Sequence, residues 1–133
     1  AEPCCPVLRK ILVEEAKTLK FPYHEKGKCV VIEGPRFSTK AESNMFRQWN
    51  ADIIGMTMTP EVVLAREAEI CYATIAMVTD YDVWRDSHVS GEEVAKTMKN
   101  NVEKVKTLLK EVIMNIPKER VCNCKNALKG ALF

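Results

Sequence analysis

The sequence predicts an α/β domain: a mixed, mainly parallel β-sheet flanked by helices, with one long helix toward the C-terminus. Two observations predict that class. Segments with apolar residues at helical spacing alternate with short apolar runs, the pattern of strands joined by helical crossovers. The runs are β-branched or continuously apolar, as expected of strands buried on both faces of a parallel sheet. At 133 residues and 47% apolar content the chain is long enough for one sizeable core.

Taken in order, Pro6 opens a helix in which Val7, Ile11, Leu12, Ala16 and Leu19 recur on one face. After FPYHEKG, the run CVVIEG from Cys29 reads as a strand closed by Gly34 and Pro35. Ser38 or Thr39 then caps a helix reaching about Trp49, with Glu42 near the capping-box position. ADIIGM is a second strand, Pro60 opens the helix EVVLAREAE, and CYATIAMVT is a third strand. From Ser90, the residues Val94, Met98, Val102, Val105, Leu109, Val112 and Ile116 form the stripe of the longest helix, which Pro117 stops. A Cys-x-Cys follows in a tail with a short apolar end, which reads as docked.

Twenty basic residues against eighteen acidic ones leave a formal charge of +2, too balanced for nucleic-acid binding. The apolar runs are too short to span a membrane, and the opening AEPCCPVLRK lacks the pattern of an export signal, so a soluble, cytoplasmic chain is expected. Six cysteines in such a chain, with Gln48 as its sole glutamine, suit a hot-living source, whereas seven asparagines and six methionines do not, so composition leaves the source open.

In a parallel sheet, ligands gather beyond the carboxyl ends of the strands. Three polar segments follow predicted strands: Gly34 to Ser38, Gly55 to Thr57, and Thr79 to Asp82. An aspartate after a strand is most often a cap or turn former, but Asp80 and Asp82 come as a pair. Asp-x-Asp binds a divalent cation when other ligands join it; no carboxylate cluster or histidine lies nearby in sequence, so no metal is expected. The pair better suits a neutral ligand with donors to offer. Thr57 reads equally as a helix-capping hydroxyl, Met56 as core, and Phe37 as core or as a platform for a flat heterocycle. His24 and His88 are isolated and read as surface residues.

The stretches EGPRFSTKAES and ADIIGMTMTPEVVLAREAEICYATIAMVTDYDVW, with the leading AEPCCP, resemble the carboxyl-terminal half of methylthioadenosine phosphorylases in the trimeric purine nucleoside phosphorylase family. The resemblance implies that residues 1–133 are the C-terminal half of a single nucleoside phosphorylase domain. It also implies phosphorolysis of 5′-methylthioadenosine to adenine and 5-methylthioribose 1-phosphate, with methylthioadenosine or adenosine as the nucleoside bound, inorganic phosphate as co-substrate and no cofactor. By matching position, Asp80 acts at purine N7, where a carboxylate helps an acceptor nitrogen only by carrying or sharing a proton. Asp82 receives the 6-amino group, which disfavours a 6-oxopurine.

The resemblance places Phe37 on the base, Ser38 and Thr79 at the base pocket, Met56 against the ribosyl group and Thr57 at phosphate. Gly91, Val94 and Ala95 fall around the 5′ substituent, where Gly91 is smaller than the usual apolar residue and implies a looser pocket. The family's glycine-rich phosphate loop and arginine-histidine segment have no counterpart here, so the chain alone is expected to turn over little without the missing N-terminal half. Trimers or hexamers are implied as well. The aligned cysteines suggest a Cys5–Cys71 bridge and a strained Cys122–Cys124 ring, leaving Cys4 and Cys29 over. The rival is a zinc site from Cys4, Cys5, Cys122 and Cys124, for which adjacent cysteines are poor chelate spacing. Two further readings compete on function: a phosphorylase of broader or 6-oxopurine specificity, and a non-catalytic oligomerisation or redox module.

Overall fold

The computed structural model describes residues 2–83 and 90–131. The described elements are helix α1 (Pro6–Thr18), strand β1 (Cys29–Val31), α2 (Lys40–Gln48), β2 (Ile53–Gly55), α3 (Met58–Glu67), α4 (Gly91–Asn115) and a 3₁₀ turn at Asn123–Asn126. The alternation expected from the sequence is present. His88 lies outside the described residues. No helix is long and apolar enough to cross a membrane among the described residues.

The chain groups into two compact units, one made of Ala1–Tyr23, Met58–Ile75 and Lys104–Phe133, the other of His24–Thr57 and Ala76–Glu103. In the first unit, Ala16 of α1 is buried with Leu108 and Val112 of α4, and Ile11, Leu12, Leu19, Phe21 and Ile75 pack around them. The face of α4 that enters this core differs from the expected stripe. Leu108, not Leu109, is buried beside Val112 one turn on, while Leu109 is 39% exposed. Four residues of spacing align Leu108 with Val112 over successive turns, which three residues do less closely.

Helices α1, α2 and α3 end in the same manner. Lys20, Asn50 and Glu69 adopt left-handed φ values of 55°, 56° and 54°. The next amide in each case, of Phe21, Ala51 and Ile70, donates to the carbonyl five residues earlier. These are Schellman closures, built here without glycine. Pro60 begins the regular part of α3, since Thr59 before it is non-helical. At the tail, the Arg120 guanidinium donates to the Glu69 carbonyl at 2.7 Å and the Leu128 amide to the Glu69 carboxylate at 3.2 Å. The tail is therefore docked, as expected.

The second unit contains the sheet. β1 and β2 pair in parallel with Cys29 opposite Ile53 and Val31 opposite Gly55, and the Ile32 amide extends the ladder to the Gly55 carbonyl. Asp52 sets this register: its carboxylate accepts from the Lys28 amide at 2.7 Å while its own amide donates to the Lys28 carbonyl. The third expected strand, residues 71–79, is not laddered to another strand among the described residues. It nevertheless keeps a two-residue period, with Ala73, Ile75, Met77 and Thr79 half-buried and Thr74, Ala76, Val78 and Asp80 exposed. The continuous apolar sequence signals strand conformation; pairing requires a neighbour with matching free backbone groups.

Candidate active site

Because β1 and β2 are parallel, their carboxyl ends open on one edge, and the two segments leaving that edge meet. Gly34 turns there with φ +67°, and Met56 leaves β2 so close that its Sδ stands 2.7 Å from where a Cβ on Gly34 would lie. The left-handed backbone favours glycine there, and any Cβ would also make the flexible Met56 thioether shift. The loop then doubles back through Arg36, whose guanidinium grips the Glu42 carboxylate with both nitrogens at 2.8 and 2.6 Å. Glu42 also accepts from the Thr39 amide and hydroxyl, and Thr39 Oγ1 accepts from the Glu42 amide at 3.2 Å. This is the expected capping box with Thr39 as the cap, reinforced by an arginine that the sequence reading did not single out. The Arg36 guanidinium, then the Thr39 amide and hydroxyl, hold the Glu42 carboxyl down at about 2.

Within this braced loop, Phe37 is 79% exposed and offers a free ring face, whereas Ser38 is buried. Among the described residues, Ser38 Oγ has no hydrogen-bond partner. Met56 is half-buried and Thr57 exposed just beyond β2.

The aspartate segment is fixed from α4: Asn101 Nδ2 donates to the Val78 carbonyl at 2.9 Å. Just beyond, Thr79 Oγ1 donates to Asp80 Oδ1 at 2.5 Å. Asp80 is exposed and Asp82 half-buried, so the two carboxylates have unlike surroundings. The start of α4 is capped by Ser90, whose Oγ accepts from the Glu93 amide and whose carbonyl accepts from the Val94 amide, both at 3.1 Å. Gly91 and Ala95 are exposed and Val94 half-buried; a Cβ added at Gly91 would meet nothing within 4 Å among the described residues.

All ten predicted substrate residues thus belong to the second unit, on the segments after β1 and β2, at and just beyond the end of the unladdered stretch 71–79, and on the first turns of α4. The Gly34 and Met56 segments are in contact. Neither of two surface cavities, one beside Asn44, Arg47 and Gln48 and one in the first unit, is lined by these residues. The side chains that brace them, Arg36 and Asn101, act through backbone and carboxylate partners six and twenty-three residues away, and no local motif announces either.

The cysteines depart from expectation. All six are free, so neither the Cys5–Cys71 nor the Cys122–Cys124 bridge is formed. The sulfurs of Cys5, Cys71, Cys122 and Cys124 are instead gathered within 4.8 Å of one another, with Cys71 and Cys122 at 3.3 Å. Cys71 takes the place that the zinc alternative gave to Cys4. Burial pushes the Cys71 thiol up to about 12, while the Cys124 amide, donating to Cys122, lowers that thiol to about 7.

Residues 1–114 match the model of the phosphorylase superfamily. An S-methyl-5′-thioadenosine phosphorylase of Thermofilum pendens is 56% identical over 133 residues, 100% of this chain and 51% of that protein. One of Thermococcus kodakarensis is 60% identical over 129 residues, 97% of this chain and 50% of that protein. Among solved structures, a methylthioadenosine phosphorylase sourced from an antarctic soil metagenomic library superposes with a TM-score of 0.90 at 39% identity, covering 98% of this chain and 48% of that one. The Schistosoma mansoni methylthioadenosine phosphorylase in complex with adenine gives a TM-score of 0.86 at 36% identity, covering 98% and 52%. The chain spans about half the length of the curated relatives it matches. It belongs to the phosphorylase superfamily.

Proposed function

We propose that this chain is the C-terminal half of a 5′-methylthioadenosine phosphorylase and supplies the purine and ribosyl side of its site. The observation that carries the reading is identity of 56% and 60% along essentially the whole chain to proteins named for that activity. The braced Gly34–Met56 edge and the Asp80 segment support it as a place for the substrate.

In the proposed reaction a phosphate oxygen bonds to C1′ as the C1′–N9 bond breaks. The bonding pair departs with the purine, and a proton reaches N7, giving adenine and 5-methylthioribose 1-phosphate. Asp80 delivers or shares that proton, and the Thr79 hydroxyl orients its carboxyl. Asp82 accepts from the 6-amino group; a 6-oxo group would set one acceptor against another. The open Phe37 face stacks on the base with Ser38 beneath it, Met56 lies against the ribosyl group, and Thr57 donates to phosphate. Val94 and Ala95 border the 5′ substituent, and the space at Gly91 admits bulkier groups there. The N-terminal half completes the phosphate site, in a cytoplasmic trimer or hexamer whose products feed purine and methionine salvage.

Phosphate-dependent adenine release, measured on the chain joined by its N-terminal half, tests this. Asp80→Ala should lower kcat by about 10²–10⁴-fold, the range for a lost general acid. Asp82→Ala should narrow the preference for adenine over 6-oxopurine nucleosides, and the chain alone should turn over little. Unchanged rates in both variants would reject the roles given to the aspartates.

A further inference from the structure

The first unit holds a feature that phosphorolysis does not use. Cys5 enters from the start of α1, Cys71 from the segment after α3, and Cys122 and Cys124 from the tail, and their four sulfurs lie within 4.8 Å of one another. Backbone bonds bring these stretches together independently of sulfur. The Cys5 amide donates to the Tyr72 carbonyl at 2.7 Å, and Glu69 holds Arg120 and Leu128 on either side of the two tail cysteines. Cys5, Cys122 and Cys124 are 1%, 8% and 5% exposed, and Val7 and Leu8 pack against them.

We propose that these four cysteines, when reduced, form a tetrathiolate site for one thiophilic divalent cation of the zinc class. Metal–sulfur bonds of about 2.3 Å in a tetrahedron set the sulfurs about 3.8 Å apart. The observed cluster brackets that separation, from the 3.3 Å contact of Cys71 and Cys122 to the 4.8 Å limit. A disulfide requires about 2.05 Å, so the same sulfurs must close on one another to form two bridges. A central cation instead satisfies all four in one step. Thiolates prefer zinc or cadmium to the hard cations magnesium and calcium.

One neighbour in particular suits a metal thiolate. Arg120 lines a cavity of about 330 Å³ with Cys5, Cys71 and Cys122, and brings positive charge to a centre whose four thiolates outweigh one divalent cation. Cation binding displaces the remaining thiol protons, so affinity rises with pH.

The test uses the full chain, reduced and stripped of metal, titrated with cobalt(II) and then zinc. One equivalent of cobalt should give the intense visible and charge-transfer bands of tetrahedral sulfur coordination, and zinc should displace it. Metal should block alkylation of Cys71, the half-buried member of the cluster, while Cys4 and Cys29 stay open to the reagent, and chelation should restore it. Cys124→Ser should weaken binding at least about tenfold, and Cys29→Ser, which is not one of the four clustered cysteines, should leave it unchanged. Absence of sulfur-ligand bands in the reduced native chain would overturn the proposal whether or not the variant folds. So would thiols that disappear in pairs with no metal bound.

Discussion

Met56 Sδ occupies the space that a Cβ on Gly34 would need, 2.7 Å from its ideal position. The contact joins the loop after β1 to the residue after β2. Gly34→Ala should lower stability by about 1–2 kcal/mol from the left-handed backbone alone, with a further loss as Met56 is displaced. Met56→Ala in the same chain should return part of that loss. Urea unfolding of the two single variants and the double variant checks this through their coupling, which is expected to be non-additive.

The Arg36–Glu42 clamp makes the loop's order depend on acid. The Glu42 carboxyl titrates near 2 in the folded chain against an ordinary value of 4.5. A lowered folded-state value means that the contribution is complete above the ordinary value and is lost as pH falls through about 2. Between pH 7 and pH 5 the clamp should hold. Glu42→Gln should remove this pH dependence and raise amide exchange at residues 36–40, read by hydrogen-exchange mass spectrometry between pH 7 and pH 3.

Burial in α4 gives a direct contrast between adjacent leucines. Leu108→Ala empties a site 7% exposed, beside Ala16 and Val112, and should cost about 2–5 kcal/mol. Leu109→Ala at a 39% exposed position should cost less than about 1 kcal/mol. Equal losses in thermal or chemical melts would contradict the observed rotation of the helix.

At the end of α1, Lys20 holds a left-handed φ of 55° that glycine adopts without a Cβ penalty. Lys20→Gly should stabilise the chain by up to about 1 kcal/mol, a rise of a few degrees in Tm. Asn50→Gly should gain less, because asparagine tolerates that conformation better.

Local rules were the most legible in the sequence. Pro6, Thr39 with Glu42, Pro60 and Ser90 each mark a helix start through groups a few residues apart, and the structure places helices there. Residues 71–79 read as a strand from composition, but ladder formation depends on a partner that sequence order does not specify. Leu108 was missed because the stripe was drawn through Leu109, and a helical period tolerates one residue of rotation. At the site, the strand-end rule found the Gly34 and Met56 segments that touch. Arg36 and Asn101 brace them through contacts that only folding creates. The four-cysteine cluster was half legible: the pair in the tail is evident, but Cys71 joins it across 51 residues.

Neither compact unit is a continuous stretch. The chain passes from one to the other at Tyr23, Thr57, Ile75 and Glu103, so each is assembled from pieces separated by what belongs to its counterpart. A nascent chain therefore cannot finish either piece early, and closing such long excursions slows folding. A single protease nick at any of these crossings leaves at least one unit composed of two peptides, so limited digestion followed by native and denaturing electrophoresis would show cut chains that still migrate as one.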